Sequence, residues 1–481
     1  MIIFDIARII FIVIAIVSLF TIIPIITALS CGEYWVLPNF IIPMLFAVLI
    51  GFIFYVFGKK RTLSLSTRSV FFVVSFSWIG ICFYGSLPLF FSGSTKSYLD
   101  AFFESVSGFT TTGGTIFSDV ESLPRSINLW RCEMHWLGGM GVIALTTALL
   151  PLLGIGGFQL IKAESTGPEK GKITPKIANT AKNLWLIYVI FTFMNFVLLL
   201  VCGMDVIDSL SHAFSTLGTG GFSTKNSSIA YYNSSAVDTV CTIFMLLAGV
   251  NFSLYFYLIS RKYEEIKKNS ELKLYLGIVT VVIAILVLCL FGFYGSFGKS
   301  LRYVAFQVAS IISTTGFMTS DYTLWPSYAQ FFIFMLFFIG GCSGSTAGGF
   351  KVVRWLVLGK QAKNEMLRML HPHGVFNISL NGKAGRKDLV FNVSAFMFVY
   401  IILALITTFI GTLSGIDIYT SFTAAFSMIG NIGPAFGELG PTANYGFLSD
   451  GVKIWYSFAM IAGRLELYNM IIFFLFDYWR K

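Results

Sequence analysis

SGFTTTGGT, residues 107–115, sets three threonines and a glycine pair in a chain of 481 residues that is 56% hydrophobic and only 12% charged. Three looser versions follow: STLGTGGFS from Ser215, SIISTTGFM from Ser310 and SMIGNIGPA from Ser427. Aligned on that serine, each has a glycine six residues on, at Gly113, Gly221, Gly316 and Gly433, spaced by 108, 95 and 117 residues. A short apolar stretch precedes each, at 99–109, 206–217, 302–312 and 417–429, and none is long enough to cross a bilayer. The spacing predicts four copies of one unit.

The solvent around these copies is lipid, since a soluble chain carries about a quarter charged residues. Ten apolar segments reach the roughly 20 residues that a hydrocarbon core requires: 2–28, 35–58, 69–92, 129–153, 183–204, 236–260, 274–297, 327–350, 388–413 and 452–477. The first is too long for a signal-peptide core and lacks a small-residue cleavage site, so it is expected to remain as a spanning helix. Lys and Arg, which mark cytoplasmic loops, number 24 on one set of alternating loops and 7 on the other. Both termini are therefore expected in the cytoplasm, with the glycine loops on the opposite face. The net charge of +10 reads as topology and not as a nucleic-acid surface, because the positive residues form no single face. Seven scattered cysteines without C-x-x-C or metal spacing read as small buried hydrophobes.

Two spans per copy keep all four the same way up. The expected fold is thus an all-α integral membrane protein with four pseudo-symmetric helix–pore-loop–helix repeats around a central pore, at 61–160, 161–262, 263–380 and 381–481. An extra N-terminal pair of transmembrane helices occupies 1–60. Irregular backbone at membrane depth is tolerated only where it is buried in protein or lines a wet cavity, so the loops must line something. Glycine lets consecutive carbonyls turn toward one axis, and rings of such oxygens can replace an ion's water shell. Short helices aiming their C-terminal ends inward favour a cation.

Over essentially its whole length the sequence resembles the Trk/Ktr/HKT superfamily of potassium transporters, and within it the TrkH-type pore-forming subunit. The resemblance is carried by TTTGG, GTGGFST, STTGF and GNIGP, by HWLGGMGVIAL in the fourth span, by GGCSGSTAGGFKVVRW and by AGRLEL in the last span. It implies a selectivity filter built from Thr110, Thr111, Thr112 and Gly113; Gly218, Thr219, Gly220 and Gly221; Ser313, Thr314, Thr315 and Gly316; and Gly430, Asn431, Ile432 and Gly433, binding mainly through backbone carbonyls. Glycine at all four registered positions favours potassium over sodium as the transported ion, with no cofactor. The implied function is potassium uptake across the bacterial inner membrane, by a symporter coupled to protons or sodium or, alternatively, by a passive channel. The implied partners are a second copy in a homodimer, membrane lipid and a cytosolic nucleotide-binding regulatory subunit of the TrkA type, with no nucleic acid. KVVRW through RMLHP would serve as a contact for that subunit or, equally, as a basic helix lying on the membrane.

GGCSGSTAGGF, residues 340–350, has two readings. Gly340, Gly344 and Gly348 at intervals of four suit a packing face in an unbroken helix. Alternatively Gly340, Gly341, Ser343, Gly344, Ser345, Gly348 and Gly349 form an unwound barrier below the filter. Five glycines, each costing about 1 kcal/mol in a helix interior, favour the barrier, as does the resemblance. Arg464, in the middle of the last span, costs a few kcal/mol unless it faces a wet interior or a partner, and the resemblance places it beneath the filter. His135 and His212 are expected to form interfacial hydrogen bonds near the ends of their segments. Asp119, Glu121, Asp321 and Glu438 could concentrate cations, but loop carboxylates are ordinary. An enzyme is not expected: GCSG at 341–344 fits a G-x-S-G protease pattern, yet the only later histidines, His371 and His373, lie in a basic loop. No G-x-x-x-x-G-K-[ST] supports an ATP-driven pump.

Overall fold

The computed structural model describes residues 2–59, 67–139, 141, 177–381, 383–384 and 387–480. Three apolar helices open the chain: α1 (Ile2–Phe20), α2 (Ile22–Cys31) and α3 (Leu37–Gly58). α1 and α2 together make one span, Phe4–Cys31. Gly51 of α3 lies so close to Ala15 of α1 that a Cβ there would overlap the alanine side chain, the small-residue contact that lets two membrane helices pack backbone to backbone. Only 22% of the most apolar window of α3 is buried in protein, against 61% of α4 (Thr67–Phe91), so the N-terminal pair is peripheral and α4 borders the core.

From α4 onward one pattern recurs. A long apolar helix of 25 or 26 residues, α4, α7 (Ile177–Val201), α12 (Ser270–Tyr294) or α16 (Lys387–Thr412), leads into a half-helix. The half-helices are α5 (Tyr98–Phe109), α8 (Val206–Gly218), α13 (Phe297–Ile312) and α17 (Ile418–Gly430), close to the short stretches expected from sequence. Three begin on a side chain that accepts a backbone N–H, Ser97 from Asp100, Asp205 from Ile207 and Asp417 from Thr420, which satisfies one of the orphan donors at a helix start. An extended strand follows each, and then a second helix: α6 (Arg125–Gly139), α9 (Ser235–Ala248), α14 (Ser327–Phe337) and α18 (Asp450–Arg464).

These second helices correct the sequence reading. The sequence predicts spans over 129–153, 236–260, 327–350 and 452–477 and favours a break only in the third, at 340–350, but all four helices are short, with 15, 14, 11 and 15 residues. At 1.5 Å per residue, 15 residues cover about 22 Å, short of a core about 30 Å thick. α9 gives way to α10 (Phe252–Ile259) through a 93° bend. A six-residue helix, α11 (Tyr263–Lys268), then links it to α12. Beyond Phe337 the chain stays non-helical until α15 (Val352–Leu370). Glu466 and Leu467, at φ 63° and 51°, end α18, and short helices α19 (Tyr468–Ile471) and α20 (Phe476–Trp479) finish the chain. Residues 142–153 of the expected fourth span lie outside the described residues. Glycines mark every break, at Gly139, Gly249, Gly340 and Gly463, and hydropathy cannot see a break whose freed backbone is satisfied inside the protein. The other six expected spans are long apolar helices. A two-residue antiparallel pair, β1 (Ser379–Leu380) with β2 (Lys383–Ala384), lies between α15 and α16.

Candidate functional site

The four glycine loops adopt one backbone conformation. Thr111, Thr219, Thr314 and Asn431 are left-handed, at φ 55°, 54°, 55° and 53°, and the glycine two residues later is positive again: Gly113 at 84°, Gly221 at 85°, Gly316 at 81° and Gly433 at 99°. A left-handed non-glycine residue costs roughly 1–2 kcal/mol, so four in register need compensation. The intervening residue supplies part of it. The N–H of Thr112 donates to Ser107 O at 2.9 Å, Gly220 to Ser215 O at 2.9 Å, Thr315 to Ser310 O at 2.8 Å and Ile432 to Ser427 O at 2.9 Å. The serine that aligns the sequences is thus the residue whose carbonyl anchors each loop to its half-helix.

The loops close on one another. A Cβ on Gly113 would overlap the Gly220 carbonyl oxygen, one on Gly221 that of Thr315, one on Gly316 that of Ile432, and one on Gly433 that of Thr112. Each glycine faces the carbonyl preceding the next repeat's glycine, and the fourth returns to the first. All four glycines also line a single cavity that continues to Asn226 and Ala443. The last contact is reinforced by Asn431 Nδ2, which donates to Thr112 Oγ1 and to Met460 O, both at 3.0 Å.

Behind this ring the repeats differ. Three residues before the shared serine stand Glu104, His212, Gln307 and Ala424. Glu104 accepts from Thr115 Oγ1 at 3.0 Å and Ile116 N at 2.9 Å, while pairing with Arg131 at 2.7 Å, both side chains at most 1% exposed. His212 Nε2 is 2.9 Å from Ser223 Oγ, and Gln307 Nε2 donates to Ser320 O at 2.7 Å. In the fourth repeat Thr423 Oγ1 accepts from Phe436 N at 3.2 Å. Every half-helix therefore pins the strand leaving its glycine, by four different chemistries.

On the other side of the ring lies the glycine-rich segment. It is not a helix, which settles its local conformation against the packing-face reading. Gly340 N donates to Phe350 O and Val352 N to Gly341 O, pinching 340–352 into a closed loop. Gly348 N donates to Thr314 Oγ1 at 2.7 Å, and a Cβ at Gly348 would press on Gly430 O and Asn431. The loop thus sits against the inner ends of the third and fourth strands. Its far edge is held by the α9–α10 break: Cys342 N donates to Gly249 O, Phe252 N to Gly344 O and Thr346 Oγ1 to Ala248 O. Glu271 of α12 accepts from Ser343 N and Val353 N.

Arg464 is the last residue of α18, not the middle of a long helix, and it reaches the loop. Its guanidinium donates to Thr346 O at 2.8 Å and to Gly138 O and Gly139 O at 2.6 and 3.0 Å. Glu466 does not join it and instead pairs with Arg354 of α15. The predicted filter and barrier residues are thereby brought together around one ring.

Several expectations fail. His135 and His212 are fully buried beside the ring and not interfacial. Arg131 lies buried inside α6. Asp119 and Glu121, read from sequence as ordinary loop carboxylates, both accept from Asn226, whose side-chain amide holds the Asp119 carboxyl below its usual range, and Asp321 caps the turn at Thr323. Sequence reasoning missed Glu104, Arg131 and Glu271, although charge within apolar stretches was a signal for all three, and it named His135 without its place beside the ring.

The TrkH family, described as a cation transport protein, matches residues 37–479. The Trk system potassium uptake protein TrkH of Escherichia coli K12 is 37% identical over 441 residues, covering 90% of this chain and 91% of that protein. TrkG of the same strain, also a Trk system potassium uptake protein, is 35% identical, with 95% of each chain covered. The crystal structure of the potassium transporter TrkH from Vibrio parahaemolyticus superimposes with a TM-score of 0.87 at 32% identity, covering 100% of both chains. With its long apolar helices and near-complete alignment, this chain is an integral membrane protein that belongs to the TrkH family.

Proposed function

We propose that this protein is the pore-forming subunit of a potassium uptake system of the bacterial cytoplasmic membrane, with both termini in the cytoplasm. The observation that carries the reading is the cyclic contact of Gly113, Gly221, Gly316 and Gly433 with carbonyl oxygens of the neighbouring loop. Four left-handed residues and four positive-φ glycines allow successive carbonyls to turn toward one axis, where they act as a filter that replaces the water of a monovalent cation. The half-helices aim their negative ends at the same place. The residues of the filter are those the sequence singled out in 110–113, 218–221, 313–316 and 430–433.

The loop 340–350 acts as the gate, standing against the filter's inner end with Arg464 as its clasp. Its glycines let the backbone repack without side-chain clashes, and Ser343 and Ser345 keep it polar. α15 leaves Met366, Met369 and Leu370 exposed and offers a surface to a cytosolic regulatory subunit of the TrkA type, on a homodimer of this chain.

The test is reconstitution into liposomes with rubidium uptake measured against sodium competition and under imposed proton and sodium gradients. Rubidium uptake resisting sodium supports the filter, and dependence on either gradient identifies a symporter, whereas indifference to both identifies a channel. Gly113→Ser places a Cβ against the Gly220 carbonyl at a positive φ, which must displace that carbonyl, and its rubidium-over-sodium preference is expected to fall. Equal uptake of both ions by the parent protein refutes the filter.

A further inference from the structure

α6 turns one face toward the ring. Asn128, Arg131, Cys132 and His135, one or two turns apart, each hold backbone or side chains of the first two loops. Asn128 Nδ2 donates to Val120 O at 2.6 Å, and Arg131 binds Glu104 and stacks over Phe222 at 4.3 Å. Cys132 Sγ lies 3.5 Å from Phe222 O. The innermost of the four, His135, bridges two repeats. Its Nδ1 is 2.8 Å from Gly108 O at the end of the first half-helix, and its Nε2 receives Phe222 N at 3.2 Å, from the strand just past Gly221.

Both partners are single-purpose, and this fixes the imidazole. Gly108 O can only accept, so Nδ1 carries the hydrogen; Phe222 N can only donate, so Nε2 is bare. The ring also sets the local backbone. A Cβ on Gly220 would overlap the imidazole, and one on Gly218 would meet the His135 carbonyl. The second loop reads GTGG, with glycines where the first has threonines at 110 and 112; the imidazole of His135 accounts for Gly220, and the backbone of α6 at His135 and Trp136 accounts for Gly218. The Phe222 ring packs against the imidazole at 4.2 Å, and the imidazole is wholly buried.

We infer that His135 is a positioning residue for ion selectivity: as the Nδ1–H tautomer it sets the spacing between the first and second filter strands, and so the width of the carbonyl ring. This rests on the filter reading above. The width of a carbonyl ring decides how well a larger ion is held relative to a smaller one, so loss of the bridge acts on ion preference more than on the maximal rate.

The full-length protein in liposomes provides the test, with rubidium uptake titrated by sodium for the parent, His135→Leu and His135→Gln. His135→Leu removes both bonds and leaves Phe222 N without a partner, and its rubidium-over-sodium preference is expected to fall by about tenfold. Its maximal uptake is expected to change less than its preference. His135→Gln, whose amide oxygen can accept from Phe222 N, recovers at least half of the lost preference on a logarithmic scale. A correctly folded His135→Leu protein with unchanged preference overturns the inference. Should that variant fail to fold, His135→Gln against His135→Asn decides: the inference requires Asn, which keeps only the Gly108 bond, to be the less selective, and equal preferences overturn it. A readout independent of transport is the imidazole itself. The chain has only four histidines, so ¹⁵N-histidine labelling at neutral pH, with His135→Gln to assign the missing signal, identifies its tautomer. Nδ1–H is expected, and a dominant Nε2–H form overturns the bridge. A parent protein without ion preference would sink the filter reading while leaving the tautomer result to judge the bridge.

Discussion

Replacing Arg464 with alanine removes the clasp between the glycine loop and α6. The guanidinium donates to Thr346 O in the loop and to Gly138 O and Gly139 O beside it. A hydrogen bond from a charged donor contributes about 1.5–3 kcal/mol. If only the bond to Thr346 is lost when the loop moves aside, the open-to-closed ratio of Arg464→Ala rises by about 10- to 150-fold. Uptake rises by less than this once the loop is mostly open. Initial rubidium uptake into proteoliposomes, normalised to incorporated protein, measures it. Two further variants separate the bond from the charge. Arg464→Gln keeps an amide donor without the positive charge, whereas Arg464→Lys keeps the charge without the fork that reaches two carbonyl groups at once. If the clasp matters most, both lie between parent and alanine; if repulsion of the cation matters most, glutamine matches alanine and lysine matches the parent. An alanine variant that is folded, incorporated and no faster than the parent refutes the clasp and the charge barrier together.

Two other outcomes follow from the same contacts. Arg131→Leu leaves Glu104 buried without its cation, a loss of about 3–5 kcal/mol; it is expected to lower the melting temperature read by size-exclusion after heating, and Glu104→Gln combined with Arg131→Met recovers more than half of the loss. A single Arg131→Leu variant as stable as the parent would contradict the buried pair. Thr314→Val deletes the acceptor for Gly348 N, loosening the loop by about 1–3 kcal/mol, and it raises rubidium uptake less than additively with Arg464→Ala, since both act on one loop. Full additivity would place the two contacts on separate elements.

The ring was legible because its signal is local. Ser107, Ser215, Ser310 and Ser427 with their glycines recur within each copy, and the half-helices are short apolar runs with N-capping residues, so register and pattern sufficed. The long helices were legible for the same reason, through continuous hydropathy. The glycines of 340–350 announced the break after α14, whereas the ends of α9 and α18 were misread because their breaks sit inside apolar sequence: LLAGVNFSLYF and MIAGRLELYNM keep a membrane-like composition across a bend. Arg464 was correctly singled out by its cost in lipid, but its partners could not be. Gly138 stands 326 residues away in sequence, and no periodicity carries such a pairing. His135 was misplaced because WRCEMHWLGG reads as a segment end near a surface, whereas α6 begins at Arg125 and ends at Gly139, beside the ring.

The four breaks have a common consequence. A helix that ends halfway across a membrane exposes carbonyl groups that lipid cannot satisfy, and here those groups are spent on one object. The end of α6 offers Gly138 O and Gly139 O to Arg464; the end of α9 offers Ala248 O and Gly249 O to Thr346 and Cys342; α14 runs directly into the loop; and α18 ends on Arg464 itself. The loop belongs by sequence to the third repeat, yet it is tied to the first through Arg464, to the second through Gly249 and to the fourth through Gly430 and Asn431. Displacing it therefore requires all of these ends to find other partners or water at the same time. If the loop is the gate proposed above, that requirement predicts a two-state barrier instead of a gradual one. Backbone groups freed at the breaks, Gly138 O, Gly139 O, Ala248 O and Gly249 O, and the side chains of Arg464, Thr346 and Thr314 therefore act on the loop together.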